Sequence, residues 1–159
     1  MRRTLTLCLL ALLLGGCGDG SEERAELKRY VERMGGLQEM NRQIVAAIVR
    51  LDQSAEEISA EELQAARELI RRYVARVQEI KSVDISYREL RVAHDLYSRT
   101  LAQANELAVD TGRELRRERG NVAIAARHVE KVTRQHYKAL DVLWLRTDQQ
   151  EPFPLTWPD

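Results

Sequence analysis

Apolar side chains recur every three or four residues through most of this chain, and that one periodicity narrows its possible folds more than any other feature. Leu27, Tyr30, Met34, Leu37, Asn41, Ile44, Ile48 and Leu51 alternate steps of three and four, which sets them on one stripe of a helix. Leu63, Ala66, Ile70, Tyr73, Val77 and Ile80 form a second stripe. Leu90, Ala93, His94, Tyr97, Leu101, Ala104, Ala108 and Leu115 form a third, and Val122, Ala125, Ala126, Val129, Val132, His136, Leu140 and Leu143 a fourth. A half-buried strand would alternate in steps of two instead. The composition agrees: 31% of residues are charged and 5% aromatic, the balance of long helices rather than sheets. Stripes of this width are buried only against other helices, and short connections make sequence neighbours antiparallel. The expected fold is all-α, an antiparallel four-helix bundle over residues 24–147 with an extended Pro-rich tail over 148–159.

Local signals place the breaks. Gly35 and Gly36 interrupt the first stripe at a combined cost of up to about 2 kcal/mol relative to alanine, enough to kink or divide that helix. Ser54 with Glu57 and Ser59 with Glu62 are two capping boxes, in which a hydroxyl and a carboxylate satisfy free amides at a helix start. Ser86 with Glu89 is a third. The run Arg113–Asn121 mixes arginines with Glu114 and Glu118 just before Gly120, and reads as a solvated helix end with cations at its negative pole; a phosphate or lipid-headgroup contact is the rival reading. Pro152, Pro154 and Pro158 forbid further helix. Phe153, Leu155 and Trp157 then pack back onto the bundle, a free peptide ligand being the alternative.

The amino terminus carries an address. Arg2 and Arg3 precede an apolar run, Leu5 to Leu14, followed by Gly15, Gly16 and Cys17, the layout of a secretory signal. Thr4 to Gly16 would rise only about 20 Å as a helix, too little for a hydrocarbon core of roughly 30 Å. Leu14-Gly15-Gly16-Cys17 resembles the lipobox of bacterial lipoproteins. The resemblance implies removal of residues 1–16, a diacylglycerol thioether on Cys17 and often acylation of its new amine. Two or three acyl chains hold a protein at a membrane essentially permanently. Residues 17–23 would be a short tether. Gly18, where lipoproteins retained in the inner membrane commonly carry Asp, implies the periplasmic face of the outer membrane.

With Cys8 in the signal and Cys17 lipidated, no thiol remains for a disulfide. Loss of Arg2 and Arg3 leaves 23 basic against 25 acidic residues, so no net field recruits nucleic acid. The chain contains no Gly-rich phosphate loop, no Gly-x-Ser-x-Gly elbow and no His-Glu-x-x-His helix. Arg91, Ala125 and Thr133 stand three places before His94, His128 and His136, so the Glu-x-x-His pattern of di-iron bundles is missing too. Met34 and His136 fall level across the expected bundle and would suit b-type haem as an axial pair; a gap-filling methionine and a core-edge histidine are the bland alternative. The preferred reading is therefore non-enzymatic: no catalytic residues, no cofactor and no metal. It makes the chain a lipid-anchored interaction or structural module with a protein partner in the envelope. The alternative is a bundle that binds a small ligand, haem or metal and faces the periplasm.

Overall fold

A computed structural model describes residues 20–53, 58–109, 114–147 and 150–158. Cys17, the signal segment and the Ser54/Glu57 box lie outside the described residues. Within them the chain is all-helical, with no strand: α1 (Ser21–Gly35), α2 (Gln38–Asp52), α3 (Ala60–Gln78), α4 (Arg88–Leu107) and α5 (Leu115–Arg146), with a 3-10 turn at Ser82–Asp84. Every stripe residue of the second and fourth sets is buried except Ile80, which is half-buried. The core is lined mainly by Leu, Ile, Val, Ala and Tyr.

The first stripe is divided between two helices. Gly36 N–H and Leu37 N–H bond to the carbonyls of Arg33 and Met34, three residues back, before Asn41 N–H resumes the four-residue spacing onto Leu37. Gly36 and Leu37 keep right-handed torsions, so the stripe stays on one side of the break. Leu27, Met34, Leu37 and Ile44 are all buried.

Ser59 and Glu62 form the expected box at the start of α3: Glu62 N–H donates to Ser59 Oγ at 3.2 Å and Ser59 N–H to Glu62 Oε2 at 2.8 Å. Ser59→Ala should cost about 1 kcal/mol in a urea titration. The Ser86/Glu89 box does not form. Ser86 and the N-cap Tyr87 are held from another helix instead, because Glu26 of α1 accepts from Ser86 N–H, Ser86 Oγ and Tyr87 N–H, each at 2.7 Å. Partial burial works to raise the Glu26 pKa, but these three bonds together outweigh it and hold the carboxyl below its ordinary value. A carboxylate at a helix N-terminus also suits the positive pole there.

The basic run is corrected by the structure. Gly120 ends nothing; α5 begins upstream at Leu115 and passes through it. The third stripe stops with α4, so Leu115 is exposed rather than buried. The helix continues because its first turns are anchored on both sides. Glu118 turns inward onto Arg67 of α3, and Arg119 donates to the carbonyls of Leu51 and Gln53 at 2.6 and 2.5 Å. Arg119 thus satisfies acceptors left open at the end of α2. These contacts offset the roughly 1 kcal/mol that a helical glycine costs.

Helix α5 touches each of the other four, most extensively α4. Its last turn meets the first turn of α1, where Arg24 Nε donates to Thr147 O at 2.7 Å. Beyond it the chain turns back along α5. Trp144 Nε1 donates to Glu151 O at 2.7 Å, Phe153 packs edge-on to Trp144, and Leu155 and Trp157 are buried. A Cβ on Gly35 would meet Leu155 at 3.8 Å, so this segment also reaches α1.

Candidate functional site: a buried tyrosine and histidine network

Eight polar or polar-tipped side chains of the interior, drawn from all five helices, come together. Tyr30 comes from α1, Asn41 from α2, Tyr73 from α3, His94 and Tyr97 from α4, and Thr133, His136 and Tyr137 from α5; every one is buried. Each lies on or next to a core stripe, which is why helical periodicity alone delivers them to one level.

Two hydrogen-bonded groups share this level. In the first, Tyr30 Oη lies 2.9 Å from His94 Nδ1 and 2.8 Å from His136 Nε2, while His94 Nε2 lies 2.7 Å from Ile80 O. The carbonyl can only accept, so His94 carries its proton on Nε2 and presents a lone pair at Nδ1. Tyr30 must then donate to His94, which leaves its oxygen to accept from His136 Nε2–H. The proton order runs one way, from His136 through Tyr30 and His94 to Ile80, and fixes both tautomers. In the second group, Tyr73 donates to Asn41 Oδ1 at 2.9 Å and Asn41 Nδ2 donates to Tyr137 at 2.9 Å. Tyr73, Tyr97 and Thr133 close a triangle of hydroxyls at 3.1 to 3.3 Å. Tyr97 joins the two groups by stacking on His136, with ring centres 4.1 Å apart and planes 2° from parallel.

Burial is the main influence on the ionisation of the network's tyrosines and histidines. It drives the tyrosine hydroxyls of Tyr30, Tyr73, Tyr97 and Tyr137 upward, away from the phenolate. It lowers His94, against smaller opposing contributions from the Ile80 carbonyl and Asp95. His136 falls to about 3, through burial first and the neighbouring His94 second. The network is therefore neutral and hydrogen-bonded at physiological pH. Such a cluster specifies one arrangement of its helices, because any slip of register would strand a polar atom in the core.

Met34 and His136 are both in the core. His136 Nε2 is engaged by Tyr30 and one face of its ring by Tyr97, so haem ligation through that nitrogen would have to break the Tyr30 bond. His128 is half-buried and bonds Thr100 O at 2.8 Å, apart from the other two histidines. Among the described residues, no group of three or more His, Cys, Asp or Glu is placed to hold a metal. The stripes identified Tyr30, Asn41, Tyr73, His94, Tyr97 and His136 as interior residues but not as partners. The signal available was that polar-tipped residues fall on every stripe. Arg67 and Glu118, a buried ion pair at 6% and 4% side-chain exposure, had no such signal, since neither belongs to a stripe.

The chain matches no protein-family model, no characterised protein and no solved structure.

Proposed function

We propose that this chain is a membrane-anchored bacterial lipoprotein whose helical domain serves as a non-enzymatic interaction or structural module in the cell envelope. The observation that carries the reading is Leu14-Gly15-Gly16-Cys17 at the end of a short apolar segment, placed directly before a helical domain. Between Cys17 and Ser21 lie only Gly18, Asp19 and Gly20, a reach of about 13 Å when extended. The domain would therefore stand against the bilayer rather than search away from it. No described helix is long and apolar enough to cross a membrane, so in this reading attachment falls to the lipid. Gly18 favours the periplasmic face of the outer membrane.

In this reading the domain is an antiparallel four-helix bundle, with α1 and α2 together acting as its first member and residues 150–158 as a strap. Contacts at the two ends support it. Glu26 and Arg24 at the start of α1 meet the start of α4 and the end of α5. The end of α2 meets the starts of α3 and α5, through Arg50 with Glu62 and Arg119 with Leu51. The non-enzymatic reading draws on the network, where His94 and His136 are neutral, buried and bonded to tyrosine, an arrangement suited to holding helices in register.

Metabolic labelling tests the anchor. Wild-type chain is expected to incorporate radiolabelled palmitate and fractionate with membranes, and Cys17→Ser to lose both. An unlabelled wild type, or a serine variant that fractionates unchanged, overturns the proposal.

A further inference from the structure

The seam between α1/α2 and α3 is open along most of its length. A cavity of about 380 Å³ lies between α2 and α3. It shares Gln43 and Arg72 with a second of about 500 Å³, which shares Arg76 and Glu79 with a third of about 360 Å³. Together they form one groove, bounded by Arg33 to Leu51 on one side and Glu62 to Ile80 on the other, about 27 Å long at the helical rise per residue. Its deepest residues at the two ends are apolar core side chains, Leu51, Ala66 and Leu69 at one and Leu37 at the other, with Met40 and Ala75 as the apolar lining between them. Ala46, Ala65 and Ala75 are exposed along its walls, short side chains that let a third backbone come close.

The rim is cationic. Glu62 and Glu79 are each paired, with Arg50 and Arg76. Arg33 and Arg72 are exposed and have no carboxylate partner among the described residues, although the chain as a whole is neutral. The groove therefore carries about two unbalanced positive charges over an apolar floor.

We infer that this groove receives one amphipathic helix of a partner protein, roughly eighteen residues long, with an apolar face toward Ala66 and Leu69 and acidic residues beside Arg33 and Arg72. Length, floor and charge agree on that occupant: five helical turns span the groove, apolar anchors at three- and four-residue spacing meet its floor, and carboxylates answer the two arginines. This deepens the interaction-module reading above by giving the partner's chemistry.

The test uses the full chain in its producing cells, with a photocrosslinking residue at Ala46 or Ala65 and, as a control, at Gln135 on α5. The expected result is a crosslink from both groove positions, and not from Gln135, to one acidic amphipathic helix identified by sequencing the joined peptide. Arg33→Glu with Arg72→Glu should reduce the yield at least tenfold, while Arg33→Lys with Arg72→Lys keeps it within about threefold. Circular dichroism of each variant reports the fold. As a second measurement, a labelled eighteen-residue Leu/Glu helix is expected to bind purified full chain in detergent, after subtraction of empty micelles, at least tenfold more tightly than its Leu/Lys counterpart. A crosslink to a second copy, to lipid or to a basic segment overturns the inference. So do equal affinities for the two peptides, or binding that ignores the charge reversal. Palmitate labelling in the same cells reads the anchor separately, so loss of one proposal is not mistaken for loss of the other.

Discussion

Glu118→Ala is expected to lower the unfolding free energy by about 3–5 kcal/mol, the largest effect of any single substitution considered for this chain. Arg67 and Glu118 face each other across the α3–α5 contact with almost no exposure. In water each charge is well solvated, so folding must desolvate both, and their attraction offsets that cost only while the two stay together. Removing the carboxylate takes the Glu118 counter-charge away from a guanidinium in a site closed to solvent. It also removes an acidic residue from the first turn of α5, where the helix dipole favours one. Replacing both partners at once, Arg67→Met with Glu118→Leu, should be far milder than the single change, because no charge is then left behind. Urea titrations of the three variants measure the difference. A Glu118→Ala loss below about 1 kcal/mol would show that water or another group already satisfies Arg67.

Acidification is the second large effect. His136 has a pKa of about 3 in the folded chain, against an ordinary value near 6.5 once unfolded. Between those two values the unfolded chain holds a proton that the folded chain refuses, so stability is complete above about pH 6.5 and falls as the pH drops toward 3. The linkage slope is about 1.4 kcal/mol per pH unit per histidine, or roughly 5 kcal/mol for His136 across the window. His94, also lowered by burial, adds in the same direction. His136→Phe should keep the stacking surface for Tyr97, cost about 1–2 kcal/mol near neutrality through the lost Tyr30 bond, and reduce the slope between pH 6 and 4.5 by about one proton. Thermal melts over that range read it directly. An unchanged slope would mean that His136 is protonated without penalty, and that its pKa is set by something other than burial.

What the sequence conveyed, and what it did not, divides along physical lines. Periodicity reports which face of a helix is buried, so the interior positions of Leu27, Tyr73, His94 and Val129 were legible. It does not report where a helix begins when its start is fixed from elsewhere. Gly120 carried a stop signal, and tertiary contacts through Glu118 and Arg119 overrode it. Ser86 had the local chemistry of a cap, yet a carboxylate sixty residues earlier, Glu26, took both of its hydrogen-bonding groups. Ser59 succeeded because its partner Glu62 lies within the same turn. The network was half-visible for the same reason. Its members' burial is a local property, whereas the tautomer order through Tyr30 depends on Ile80, His94 and His136 arriving from three separate segments.

Among the described helices α5, against which the other four all rest, is made after them. Until it emerges, α1 to α4 lack the surface that closes their core, and Tyr30, Asn41 and Tyr73 lack His136, Tyr137 and Thr133. A nascent chain of this design gains its cooperativity late, and stays slack and threadable while most of its length is being made. Chains released after residue 114 are accordingly expected to be digested by trypsin within minutes under conditions in which the whole protein resists.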